Sequence, residues 1–251
     1  MMVGDSAVTR TDRFGNRTVV PDAVKVLYSD AANIGFAVWG RANIGNNRLD
    51  YWLSDFIQNS LTSADSVMSA GQKLARELNS ALNLQGSDWE RHVKGIHVSG
   101  FESDTPVLYH VHCGTEKESP HELQLYTDFP QNQGLSLTAF NSMLEQGRSG
   151  HLRNGYHHHF GMLFEAIQPF TAGLRHVLGT EFPHPSLHGR LKYHELLVKT
   201  VAGVLEAANE HPGVNSQLST IAFTKSGLIH DGRIQFPVGP TSEFASFDLR
   251  F

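Results

Sequence analysis

His110 and His112 alternate along one apolar run with Cys113 beside them, and His157, His158 and His159 stand in a row. Imidazole and thiol are the ligands on which a zinc or transition-metal site would draw. The spacing argues against that use, because the chain holds no HExxH and no paired CxxC, the patterns that converge two ligands on one ion. These histidines read as solvated or core-edge residues, and neither a metal nor another cofactor is expected. A metal-dependent hydrolase built on His110 and His112 is the weakest functional reading. Three other residues stand where apolar runs begin or end. Asp5 can accept turn hydrogen bonds after a strand, Lys25 can guard an edge strand against pairing, and Gly40 offers backbone freedom at a strand end.

The elements that must position these residues are legible from periodicity. Residues 1 to 40 hold three short apolar or β-branched runs, broken at Arg13-Phe14-Gly15-Asn16 and at Ser29-Asp30-Ala31-Ala32-Asn33, which reads as strands and turns. After Gly45-Asn46-Asn47 the spacing becomes helical, with Leu49, Trp52, Leu53, Phe56 and Ile57 on one face and then Val67, Leu74, Leu78 and Leu82 on another. Strands return over His92 to Phe101 and Pro106 to His112 around the polar turn Glu102-Ser103-Asp104-Thr105, with a further extended run over His121 to Phe129. Helical spacing reappears over Leu137 to Glu145, Tyr156 to Leu178 and Leu191 to Ala208, and Leu218 to Lys225 with Leu228 to Phe236 reads as a final hairpin. Strands grouped in hairpins and alternating with helices predict an α+β chain, two antiparallel sheets packed together with helices outside, an αββα sandwich.

Length and composition bound the rest. With 251 residues, 40% hydrophobic and 18% charged, the chain fits one domain over 1-251, with a divergent or inserted segment around 148-190. A formal net charge of -5 gives no basic face, so nucleic acid is not an expected partner. The single Cys113 excludes an internal disulfide framework and suits a reducing compartment, and there is neither a secretory signal pattern nor a long apolar run. A cytoplasmic protein without membrane partners is the expectation.

The opening Met2-Val3-Gly4-Asp5-Ser6-Ala7-Val8-Thr9, followed by Val24-Lys25-Val26-Leu27-Tyr28 and Ile34-Gly35-Phe36-Ala37-Val38-Trp39-Gly40, resembles the start of a proteasome β-subunit or of its bacterial relative, the HslV peptidase. Val98-Ser99-Gly100-Phe101 with Pro106-Val107-Leu108-Tyr109-His110-Val111 is similar to the central hairpin of that family, and Thr220 to Gly227 to its late hairpin. The resemblance covers the first half of the chain well and is unspecific afterwards. It implies the four-layer αββα sandwich of N-terminal-nucleophile hydrolases. It also implies roles. Asp5 would help to hold the catalytic lysine, Lys25 would be that lysine and adjust the proton affinity of the nucleophile, and the backbone N-H of Gly40 would help form an oxyanion hole. Ser142, in Thr138 to Glu145, is the stand-in for the serine beside the nucleophile; the family's later acidic and serine pair falls near residues 209 to 216, where no residue is assigned.

In that family the nucleophile is the first residue of the mature chain, on a strand just before the one that opens this sequence. The hydroxyl or thiol of a terminal Thr, Ser or Cys attacks a carbonyl while the α-amine of the same residue, titrating near ~7.7 to 8, takes the proton. Met1 and Met2 offer thioethers, and Ser6 and Thr9 are internal and bring no α-amine. Three readings stay open: a peptidase or amidase whose nucleophile strand is missing from this sequence, a non-catalytic structural or regulatory subunit, or other chemistry on the same scaffold. The resemblance further implies a peptide or amide substrate and self-association into a ring, and leaves any unfoldase partner unidentified.

Overall fold

In a computed structural model, the structure describes residues 1-11, 14, 17-21, 23-40, 42-44, 47-85, 94-113, 123-126, 137-147, 157-179, 183-208 and 216-233. The main sheet has five antiparallel strands in the order β10-β9-β8-β5-β4. These are β4 (Val26–Ser29), β5 (Ile34–Gly40), β8 (Lys94–Glu102), β9 (Thr105–His112) and β10 (Gln124–Tyr126). A second antiparallel sheet joins β1 (Met2–Asp5), β11 (Leu218–Thr224) and β12 (Gly227–Gly232) in the order β1-β11-β12. Two short hairpins, β2 (Ala7–Thr11) with β3 (Arg17–Pro21) and β6 (Asn43–Ile44) with β7 (Asn47–Arg48), stand outside both sheets.

Strand alternation assigns each face of the main sheet a different partner. Ile34 and Phe36 of β5, Ile96 and Val98 of β8, and Val107, Tyr109 and Val111 of β9 form one core with α1 (Leu49–Ser60) and α2 (Val67–Gln85). Leu53, Leu74, Leu78 and Leu82 of these helices are completely enclosed, each contributing about 1.5–3 kcal/mol by burial. The i, i+4 ladder Leu74, Leu78, Leu82 is the apolar stripe legible in the sequence. The opposite face meets the small sheet: Val26 and Tyr28 pack with Met2, Ile221 and Phe223. Gly35 marks the closest approach, since a Cβ there would lie 2.8 Å from both Met2 Sδ and Phe223 Cε1.

Where the small sheet does not reach, α3 (Leu137–Glu145) closes over β9 through Leu137, Phe140 and Leu108. The side chain of Asn141 fastens it, accepting from Leu108 N at 2.9 Å and donating to Leu108 O at 3.0 Å. α5 (Leu187–Ala207) contacts β1 and β11, and α4 (His157–Leu178) contacts α5. The chain is therefore an α+β assembly of two face-to-face antiparallel sheets flanked by helices. No helix among the described residues is long and apolar enough to cross a membrane.

The boundaries differ from the sequence reading at three places. α5 begins at Leu187 rather than Leu191 because Ser186 caps it, its hydroxyl accepting from Gly189 N at 3.1 Å. The extended run over 121 to 129 is described as strand only at Gln124–Tyr126, and residues 234 to 236 of the last run lie outside the described residues. The segment 148-190, expected to be divergent or inserted, contains the whole of α4, over the run Tyr156 to Leu178 read as helical, and the start of α5.

Candidate functional site

The end of the sandwich where β1 finishes is built from the turn residues upward. After Asp5 the chain leaves the small sheet, and its carboxylate accepts from Ala7 N at 2.7 Å, the local turn bond expected of Asp. The same oxygen, Oδ1, accepts from Lys25 Nζ at 3.0 Å. These side chains are only 20% and 15% exposed, so the pair is less screened than a surface ion pair. It ties the end of β1 in one sheet to the entry of β4 in the other.

That entry is irregular backbone, since β4 proper starts at Val26, and its polar groups are satisfied from three directions. Ala23 N donates to Ser6 O at 3.1 Å, Val24 N donates to Asp50 Oδ2 at 2.9 Å, and Lys25 O accepts from Val38 N at 2.8 Å. Two residues beyond Val38, Gly40 ends β5 with φ at +86°, a conformation that favours glycine. Asp5, Lys25 and Gly40 are thus brought to one end of the molecule. Ser142 sits elsewhere in the fold, on α3 against β9, and its hydroxyl accepts from Gln146 Nε2 at 3.5 Å. Among the described residues no hydrogen bond or ion pair joins it to Asp5 or Lys25.

Beneath this end, the inner face of the main sheet carries imidazoles. Register pairs His97 with His110 and Gly95 with His112 across β8 and β9, and Trp39 with Gly95 across β5 and β8. His97 and His110 stack at 4.7 Å, His110 and His112 at 5.4 Å, and Trp39 stacks on His112 at 5.3 Å. The indole of Trp39 occupies the space over Gly95 and donates from Nε1 to His110 Nε2 at 3.0 Å. With that lone pair taken, neutral His110 carries its proton on Nδ1. Burial pushes His97 down to about 4, and burial followed by repulsion from His97 and His112 pushes His110 down to about 2. His97 and His110 are therefore neutral at pH 7. Among the described residues no group of three or more His, Cys, Asp and Glu is arranged to hold a metal ion. Cys113 is buried in the main core, and the side chains of His157, His158 and His159, at the start of α4, lie outside the described residues.

Two features of this site escaped the sequence reading. His97 joins His110 and His112 only through cross-strand register, which pattern reading does not supply. Asp50 reads in sequence as an ordinary acid in a first helical turn, yet it is 5% exposed and reaches back 26 residues to Val24. No protein-family model, curated protein or solved structure matches the chain.

Proposed function

We propose that the chain is the scaffold of an N-terminal-nucleophile hydrolase of the proteasome and HslV kind, cleaving peptide or amide bonds at the end where Asp5, Lys25 and Gly40 lie. The observation that carries the reading is the Lys25–Asp5 pair at 3.0 Å, bridging two face-to-face sheets flanked by helices. In this reading the sandwich is the αββα fold of that class. Lys25, held by Asp5, lowers the cost of deprotonating a neighbouring nucleophile by presenting a fixed positive charge. Gly40 supplies an N-H to the developing oxyanion. The nucleophile is a Thr, Ser or Cys at the head of a strand preceding Met1. Its hydroxyl or thiol adds to the carbonyl carbon, its own α-amine takes the proton and passes it to the departing amine, and water then hydrolyses the acyl intermediate.

Ring assembly belongs to the same proposal. Met162, Phe170 and Val177 are exposed along α4, and they are the surface this reading assigns to contact between subunits.

The test is intact mass and N-terminal sequencing of the protein from its native source, with labelling by an electrophile aimed at a terminal nucleophile. The reading expects a first residue of Thr, Ser or Cys ahead of Met1, labelled there, with amidase or peptidase activity lost on labelling. A native chain that starts at Met1 or Met2, or one with a terminal nucleophile but neither label nor activity, overturns it in favour of a non-catalytic subunit.

A further inference from the structure

Among the described residues, Asp50 is the one side chain of the three groups that fix the backbone from Ala23 to Lys25; the others are main-chain atoms of Ser6 and Val38. Its carboxylate is buried and fully engaged. Oδ1 accepts from Arg48 Nε at 3.0 Å and from Tyr51 N at 3.0 Å, and Oδ2 accepts from Arg48 Nη2 at 2.5 Å and from Val24 N at 2.9 Å. A buried charge persists only when paired and hydrogen-bonded, and here the partner is itself held, with the Arg48 guanidinium 4.6 Å from the Tyr51 ring centroid.

The path of the chain gives this contact its consequence. After Gly40, the backbone passes through the β6–β7 hairpin to Arg48, and Leu49 N donates back to Ala42 O at 2.7 Å. Asp50, at the start of α1, therefore connects the helix that follows this hairpin with the segment entering β4 before Lys25, which no regular ladder holds at that point.

We propose that Asp50 is a positioning residue for the Asp5–Lys25 pair: its bond to Val24 N fixes the entry of β4 so that the Lys25 ammonium meets Asp5. The mechanistic value of that position rests on the hydrolase reading above; the positioning itself does not. Asp50 touches no reacting atom and acts through the backbone of Val24.

The experiment is a double-mutant cycle between Asp5→Ala and Lys25→Ala, read from unfolding constants and repeated with Asp50, Asp50→Leu and Asp50→Ala. With Asp50 present, the pair couples by about twofold to fivefold in the unfolding constant. In the Asp50 variants the coupling falls to about onefold. A purely structural role would lower the stability of all four corners alike and leave the coupling intact, which overturns the proposal. If Asp50→Ala does not fold, Asp50→Leu, which has similar bulk and no acceptor for Val24 N, decides the question.

A second readout is the rate at which Lys25 is acetylated, followed by peptide mass spectrometry. It rises severalfold in Asp5→Ala and in Asp50→Leu, with Lys192 and Lys225 unchanged as controls; an unchanged Lys25 rate in Asp50→Leu overturns the proposal. Lost coupling in a protein without a labelled terminal nucleophile sinks the hydrolase reading and keeps the positioning role. Retained coupling in a protein with a labelled nucleophile does the reverse.

Discussion

The two ends of the inter-sheet space are filled with different materials. At the end near the β4–β5 turn, Tyr28 and Phe223 lie 5.4 Å apart and Phe101 meets Phe223 edge-on at 6.2 Å. Asn33 then sews the sheets together. Its Nδ2 donates to Thr224 O at 2.9 Å and Lys225 O at 3.1 Å, and its Oδ1 accepts from Tyr28 Oη at 2.6 Å. The opposite end has Trp39 against His110 and His112 in a row of three imidazoles, and the Lys25–Asp5 ion pair across the gap. Hydrocarbon and neutral hydrogen bonds hold the covered part of the first end, and the Lys225–Asp104 ion pair that also spans it is exposed. The second end depends on groups that can change charge, and every candidate residue of the proposed reaction except Ser142 is there. The pH-insensitive contacts and the candidate site are thus at opposite ends of one fold.

Acid should break the comparison most strongly. The folded proton affinities of His97 and His110 lie below the unfolded value of roughly 6.5, so the unfolded chain binds protons first as pH falls. The stability this confers is complete above about 6.5. It is lost progressively below that, down to about 4 for His97 and further for His110. For His97 alone the loss is of order 3 kcal/mol. Urea midpoints at several pH values between neutrality and pH 4 should fall accordingly, and His97→Phe should flatten the dependence. A curve of unchanged steepness in that variant would show that the stack is not its source.

Next in size is a lesion at the closed end. Asn33→Ala removes three hydrogen bonds and places alanine at φ +55°, which together should cost about 2–3 kcal/mol. Asn33→Gly keeps the backbone relaxed and should cost less. Equal losses for the two would mean that the bonds, and not the left-handed turn, carry the effect. Trp39→Phe, at the other end, keeps the stacking on His112 but leaves His110 Nε2 without its indole donor, for about 1–2 kcal/mol. Its thermal midpoint should shift less than that of Asn33→Ala.

What was legible in the sequence followed local periodicity. Leu74, Leu78 and Leu82 declare a helix face, and the turn at 103-104 sits between β8 and β9, because both signals depend on neighbours within a few residues. Ser186 was legible in principle as a cap after His184-Pro185, yet the surrounding Gly and Pro obscured it. The site depends instead on contacts 20 to 71 residues apart, Asp5 with Lys25, Val24 with Asp50 and Trp39 with His110, and no spacing rule announces these. His110 and His112 were seen to share a face, but His97 enters only once β8 and β9 are in register. Asp5 and Lys25 were paired through a family resemblance, not through their separation. Ser142 came by the same route, from its place in a pattern, and its hydroxyl meets Gln146 one turn away.

The smallest expected effect gives the sharpest contrast, because it compares two lysines that each pair with one aspartate. Lys225 bonds Asp104 at 2.9 Å with both side chains well exposed, whereas Lys25 and Asp5 are largely covered. Water screens the first pair, and holding two long side chains together costs entropy, so Lys225→Ala should change stability within about 0.5 kcal/mol. Lys25→Ala removes a pair with less screening and leaves Asp5, among the described residues, with its bond from Ala7 N, so its loss should approach about 1 kcal/mol. Salt separates the two as well: raising ionic strength should erase the Lys225 difference and leave most of the Lys25 difference. If the hydrolase reading holds, Lys25→Ala also abolishes turnover while Lys225→Ala retains it. That inequality between stability and activity would locate the chemistry at the end the imidazoles occupy.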